Sequence, residues 1–177
     1  TSTIALAAHP LVIFFVSRGR FALESLAVIP VINALVFIFR ALGLSYQEAA
    51  IALLGSRNEH VREVRSFALL GGLLASLALA LVALTPLSLV WFEIVSGLTP
   101  ELTRFALLPT RILALIPGLT VLLSFQRAMM VNVKQTRHIP GATAIEVVAV
   151  ITILIVGIVL LDGVGAVVAA VALLVGR

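Results

Sequence analysis

Between Ser66 and Phe92 the chain runs for 27 residues without a charged side chain. As a helix rising 1.5 Å per residue, such a run reaches about 40 Å, more than the roughly 30 Å of hydrocarbon in a bilayer. In hydrocarbon every backbone amide and carbonyl must be paired within the protein, which leaves only α-helices or a closed β-barrel. Barrel strands are about ten residues long and alternate apolar with polar side chains, and this run does neither. The chain is therefore expected to be an all-α membrane protein.

Composition agrees. Hydrophobic residues make up 62% of the chain and charged residues 11%, with a mean hydropathy of +1.23; soluble domains are about half apolar and about a quarter charged. No cysteine is present, which excludes disulfides, thiolate metal sites and thiol catalysis. The net charge of +4 comes from twelve Lys and Arg against eight Asp and Glu. The basic residues sit in the short gaps between apolar runs, where they signal topology, so the partner they imply is a lipid bilayer and not a nucleic acid. The sequence starts at Thr1 inside apolar sequence, with no initiator Met, basic leader or cleavage site; it reads as an excised fragment without a signal peptide.

Six spans can be read: about Ile4 to Val16, Ala22 to Ala41, Ser66 to Phe92, Phe105 to Met130, Ala142 to Leu161, and Gly163 to Gly176. Gly43 is expected to break the second, with a partly amphipathic continuation from Ser45 to Leu54. The first and last are short, so both ends of the chain are expected to stop inside helices of a longer protein. Residues 1–177 then form a single transmembrane lobe. Six basic residues fall in loops on one side (Arg57, Arg62, Arg65, Arg127, Lys134, Arg137) and three on the other (Arg18, Arg20, Arg104). The positive-inside rule places the loops near 57–65 and 127–138, and with them both chain ends, in the cytoplasm. Gly72, Ser76 and Ala80 recur every four residues, as do Gly165 with Ala169 and Ala166 with Ala170; such small ridges let helices approach closely.

No catalytic constellation stands out. His9, His60 and His138 are isolated, with no partner at metal-ligand spacing. The string from Gly163 to Ala169 imitates a dinucleotide fingerprint but lacks a βαβ context and reads as the start of a membrane helix. Neither cofactor nor metal is expected, and the chain does not read as an enzyme, which would bring clustered His, Asp or Glu to a membrane face.

The informative residues are charges inside apolar runs, because an unpaired charge in lipid costs at least a few kcal/mol and must be hidden in the bundle or in an aqueous cavity. Arg40 lies late in the second span with Asn33 seven residues earlier, on nearly one stripe, and Glu48 follows Gly43. Arg111 lies between Pro109 and Pro117, two residues that interrupt backbone hydrogen bonding. Glu146 lies just inside the fifth span. For Arg111 and Arg40 an interhelical ion pair competes with a cavity-facing role; for Glu146, Arg127 and Arg104 the alternative is snorkelling to an interface. Arginines in a cavity favour an anionic solute, since guanidinium forks onto carboxylate and phosphate. Arg111, Arg40, Asn33 and Glu48 are the candidate solute-binding residues, and Glu48 and Glu146 the candidate carriers of a coupling proton.

The order of elements resembles one lobe of the multidrug and toxin extrusion (MATE-like), oligosaccharidyl-lipid and polysaccharide flippase superfamily. Three stretches resemble the C-terminal lobe of the progressive ankylosis protein family. They are Pro10-Leu-Val-Ile-Phe-Phe-Val-Ser17-Arg18 with Ala22-Leu-Glu24-Ser-Leu-Ala-Val28; Pro109-Thr-Arg111-Ile112 followed by Pro117; and Lys134-Gln-Thr136 followed by Pro140, ending in Gly163-Val-Gly165-Ala166. Glu146 is acidic where the family pattern is basic. The resemblance implies a six-transmembrane-helix bundle, one lobe of a two-lobe MATE-like transporter. It implies efflux of organic or phosphorylated anions such as ATP, pyrophosphate or citrate by alternating access, with the N-terminal six-helix lobe of the same polypeptide as the missing partner. A lipid-linked precursor flippase or a multidrug exporter of the same superfamily is the alternative.

Overall fold

A computed structural model of the chain describes residues 10–55, 59–133 and 138–177, the last segment by backbone alone at 138–140. The described residues are mostly helical, and the one strand-like feature among them is an isolated bridge between Arg20 and Val164. The helices are α1 (10–16), α2 (Ala22–Leu53), α3 (Val61–Leu84), a single turn α4 (Leu87–Leu89), α5 (Pro100–Leu113), α6 (Ile116–Asn132), α7 (His138–Leu154) and α8 (Gly165–Val175). Two π-helical segments, Val90–Val95 and Ile155–Leu160, extend α4 and α7. Four stretches are long and apolar enough to cross a membrane: Ala22–Leu53, Val61–Leu84, Pro100–Asn132 and Gly141–Leu160. Their outward faces are aliphatic, as in Leu70, Leu73, Leu74, Leu77 and Leu81 of α3, all more than half exposed, as a lipid-facing helix requires.

The expected break at Gly43 does not occur, and α2 continues through it to Leu53. A glycine inside a helix costs about 1 kcal/mol relative to alanine, and here it permits close contact with α6. A Cβ at Gly43 would sit 3.0 Å from the Val121 amide nitrogen and 3.1 Å from Thr120 Cγ2. The interface of α2 with α6 is the most extensive in the molecule.

Breaks occur instead at Pro86 and ahead of Pro117, whereas α2 runs through Pro30 and α5 through Pro109 without one. The uncharged run from Ser66 to Phe92 does not form one helix: α3 stops at Leu84, Thr85 takes the extended conformation favoured before proline, and the chain restarts after Pro86. The expected span from Phe105 to Met130 begins earlier, at Pro100 in the first turn of α5, where Thr99 caps the helix by accepting from the Leu102 amide. It is interrupted at 114–115, ahead of Pro117.

Each interruption frees backbone donors, and serines from neighbouring helices supply acceptors. Ser76 of α3 accepts from the Gly118 amide at 2.9 Å, in the first turn of α6. Ser25 of α2 accepts from the Ala166 amide at 3.1 Å, in the first turn of α8. Both cap a helix from outside its own sequence, satisfying donors that hydrocarbon would leave unpaired.

Three apolar clusters form the interior. One joins α2, α3, α5 and α8 around Val28, Ile32, Leu79, Phe92 and Ala170; a second joins α2, α3 and α6 around Ala50, Ala68, Val121 and Phe125; a third joins α1, α7 and α8 around Val16, Leu154 and Ala172. At one end the turn after α1 meets the turn before α8: the Gly165 amide donates to the Arg20 carbonyl at 3.3 Å. At the other end Asn132 donates to the carbonyls of Ile51 and Gly55, closing α6 onto the end of α2.

Candidate functional site

Where α2, α5, α6, α7 and α8 converge with α1, a cavity of about 350 Å³ opens between stripes of side chains. From α7 come Thr143, Glu146, Val147 and Val150, at the i, i+3, i+4, i+7 spacing of one helical face. The α8 element contributes Ala166, Ala169, Ala170 and Leu173, and just past its end Arg177. Three alanines along that stripe leave the volume that larger residues would fill. Asn33 and Arg40 line the wall from α2, Pro109 and Leu113 from α5, and Arg127 from α6.

The charged groups are drawn from four elements into this one space. Glu146 Oε1 lies 3.5 Å from Arg177 Nε, with both side chains mostly withdrawn from solvent, 27% and 16% exposed. Arg40 Nε is buried without a hydrogen-bond partner among the described residues. The lining holds three guanidiniums and one carboxylate, an excess of two positive charges with apolar surroundings. A second cavity of about 270 Å³, bordered by Leu123, Gln126, Met130, Ala142 and Ile145, shares Arg127, Thr143, Glu146 and Arg177 with the first. Those four residues line both spaces.

Of the residues singled out from the sequence, Arg40, Asn33 and Glu146 are brought together here. Arg111 and Glu48 are not. Arg111 is exposed on α5, and its Nε donates to the Ala83 carbonyl at 3.4 Å. That carbonyl is in the last turn of α3, where Pro86 prevents the helix from continuing, so the guanidinium acts as a cap at the negative end of a helix. Glu48 is exposed on α2, away from the cavity. Arg104 is likewise exposed. Arg57, Lys134 and Arg137, half of the basic count behind the loop assignment, lie outside the described residues, as do His9 and the motif Lys134-Gln-Thr136.

Two cavity residues escaped the sequence reading. Arg127, expected in a loop or at an interface, lies within α6 and lines the cavity, and Arg177 joins it from just past α8. The spacing of Ala166, Ala170, Leu173 and Arg177, at i, i+4, i+7 and i+11, is the pattern that places Arg177 on the cavity stripe. Among the described residues no three His, Asp or Glu side chains gather as a metal site. No family model, curated protein or solved structure matches this chain.

Proposed function

We propose that the chain is one lobe of a membrane transporter that binds a small anionic solute in the cavity bounded by Asn33, Arg40, Arg127, Glu146 and Arg177. The carrying observation is the charge of that space: three guanidiniums against one carboxylate, in a bundle whose remaining lining is almost wholly apolar. Charges so placed are costly and mark solute or ion pathways, and guanidinium selects carboxylate and phosphate oxygens. In this reading residues 1–177 are a six-helix lobe working by alternating access against an N-terminal lobe of the same polypeptide. The protein is a multi-pass component of the cell membrane and exports organic or phosphorylated anions. The loops near 57–65 and 127–138 are cytoplasmic, and Glu146 is the candidate for coupling to a proton.

The test is uptake of labelled ATP, citrate and pyrophosphate by the full-length parent in proteoliposomes, with Arg40→Gln and Arg111→Gln as variants. Arg40→Gln should lower transport at least tenfold with folding intact, whereas Arg111→Gln should act on stability through the end of α3. If no anion moves under any imposed ion gradient, the proposal fails. A lipid-linked precursor flippase is the second reading, favoured by the second cavity, whose lining includes the apolar Ile145, 73% exposed. It predicts that a polyprenyl-linked anion, and none of the soluble ones, is moved.

A further inference from the structure

The two cavities share three charged lining residues, Arg127, Glu146 and Arg177. The Glu146–Arg177 contact there is a single approach of Oε1 to Nε at 3.5 Å, longer than a charge-assisted hydrogen bond and without the two parallel bonds of the strongest arginine–carboxylate pairs. A half-buried pair of this kind recovers its desolvation cost only in part, so an incoming carboxylate or phosphate competes with Glu146 on nearly equal terms. Among the described residues Arg40 and Arg127 have no carboxylate within ion-pair distance, and Arg40 Nε has no acceptor.

We infer that Glu146 is a displaceable internal counter-ion that sets the charge of the solute this site accepts. Paired with Arg177, it leaves the guanidiniums of Arg40 and Arg127 for the solute, which matches an anion carrying two negative charges, a dicarboxylate or a phosphorylated compound. Binding of the solute at Arg177 displaces Glu146 from it, and release of the solute restores the pair. Glu146 is thus a specificity-determining residue, and its effect is exerted through Arg177. The inference rests on the anion-binding part of the proposed function and is independent of whether transport occurs.

The experiment is equilibrium binding of acetate, succinate and tricarballylate to the purified full-length parent at pH 8, where every carboxylate is ionised. These probes add one negative charge at a time to the same chemistry. In the native protein affinity should rise from acetate to succinate and level off at tricarballylate. In Glu146→Gln the rise should continue to tricarballylate, with a gain of about tenfold, as expected for one more unpaired charge in a space of intermediate dielectric. The double variant Glu146→Gln with Arg177→Gln again leaves two guanidiniums and should return to the native profile. Should Glu146→Gln not fold, Arg177→Gln carries the test: Glu146 then offsets one of the remaining arginines, and the profile should be level from acetate onward.

A Glu146→Gln profile that levels at succinate as the native one does, or a double variant that keeps the steeper rise, overturns the inference while leaving the anion site in place. The predicted profiles without movement of any anion across proteoliposomes under any imposed ion gradient overturn the transport reading and leave the inference standing. No binding of any probe by any variant overturns both.

Discussion

Alanine at Gly118 tests the packing that holds α3 against α6. A Cβ there would lie 2.6 Å from Ser76 Oγ and 2.9 Å from the Gly72 carbonyl oxygen. The hydroxyl can turn away only by giving up its 2.9 Å bond from the Gly118 amide. The carbonyl is backbone, so α3 as a whole must retreat by about 0.5 Å to restore ordinary contact, in an interior packed as densely as an organic crystal. Overpacking of this size costs about 1–3 kcal/mol, and an interhelical hydrogen bond in a membrane protein adds about 0.6 kcal/mol. The better helix propensity of alanine returns up to about 1 kcal/mol. The net destabilisation is about 1–3 kcal/mol. Gly71, one residue from the contact, has nothing within 4 Å of its Cβ position; Gly71→Ala keeps the propensity gain without the clash and should be neutral or stabilising. Denaturant unfolding of the purified protein in one detergent compares the two. If Gly118→Ala is as stable as Gly71→Ala to within about 0.5 kcal/mol, the two helices are not in the close contact described.

Ser25→Ala removes the acceptor of the Ala166 amide at the start of α8 and should cost about 1 kcal/mol in the same unfolding assay, with Ser25→Thr retaining most of the loss-free behaviour only if its methyl is accommodated. Ala170→Leu adds three carbons to the wall of the 350 Å³ cavity; it should hold or raise the unfolding midpoint while abolishing anion binding, and unchanged binding would place the solute elsewhere. Because the native chain has no cysteine, single cysteines at Arg62 and Gly97, both exposed and in or beside different interhelical connections, should react with a membrane-impermeant maleimide from opposite sides of sealed vesicles. Reaction of both from one side would refute the alternating path of the spans.

The solvent, the secondary-structure class and most of the long helices were legible because they follow from length and apolarity alone, as in the run from Ser66 to Phe92. The helix boundaries were not, because glycine and proline act through their neighbours. Gly43 looks like a breaker in isolation and is instead the point where Val121 approaches α2; Pro86 and Pro117, embedded in uninterrupted apolar sequence, end helices whose composition gives no warning. The site divides in the same way. Arg40 and Asn33 share a stripe of one helix, so their joint position follows from spacing. Arg111 occupied the same kind of apolar setting, but what decides its role is the Ala83 carbonyl on a different helix.

That contrast bears on how charge is distributed in this bundle. Arg111 and Arg40 carry the same group at the same kind of depth in sequence, and the difference between them lies in the backbone they meet. Arg111 finds a carbonyl released by the end of α3 at Pro86, and hydrogen bonding to it satisfies the guanidinium at a place where the helix dipole is already negative. Arg40 lies in the middle of an unbroken helix, where every nearby carbonyl is engaged within α2, so its Nε must look across the bundle and finds there two further arginines and one glutamate. A helix interruption thus absorbs one arginine into the structure, and the continuity of α2 through Gly43 leaves Arg40 Nε without an acceptor among the described residues. The glycine that permits α2 to pass α6 without breaking is therefore as much a determinant of the site as the residues that line it.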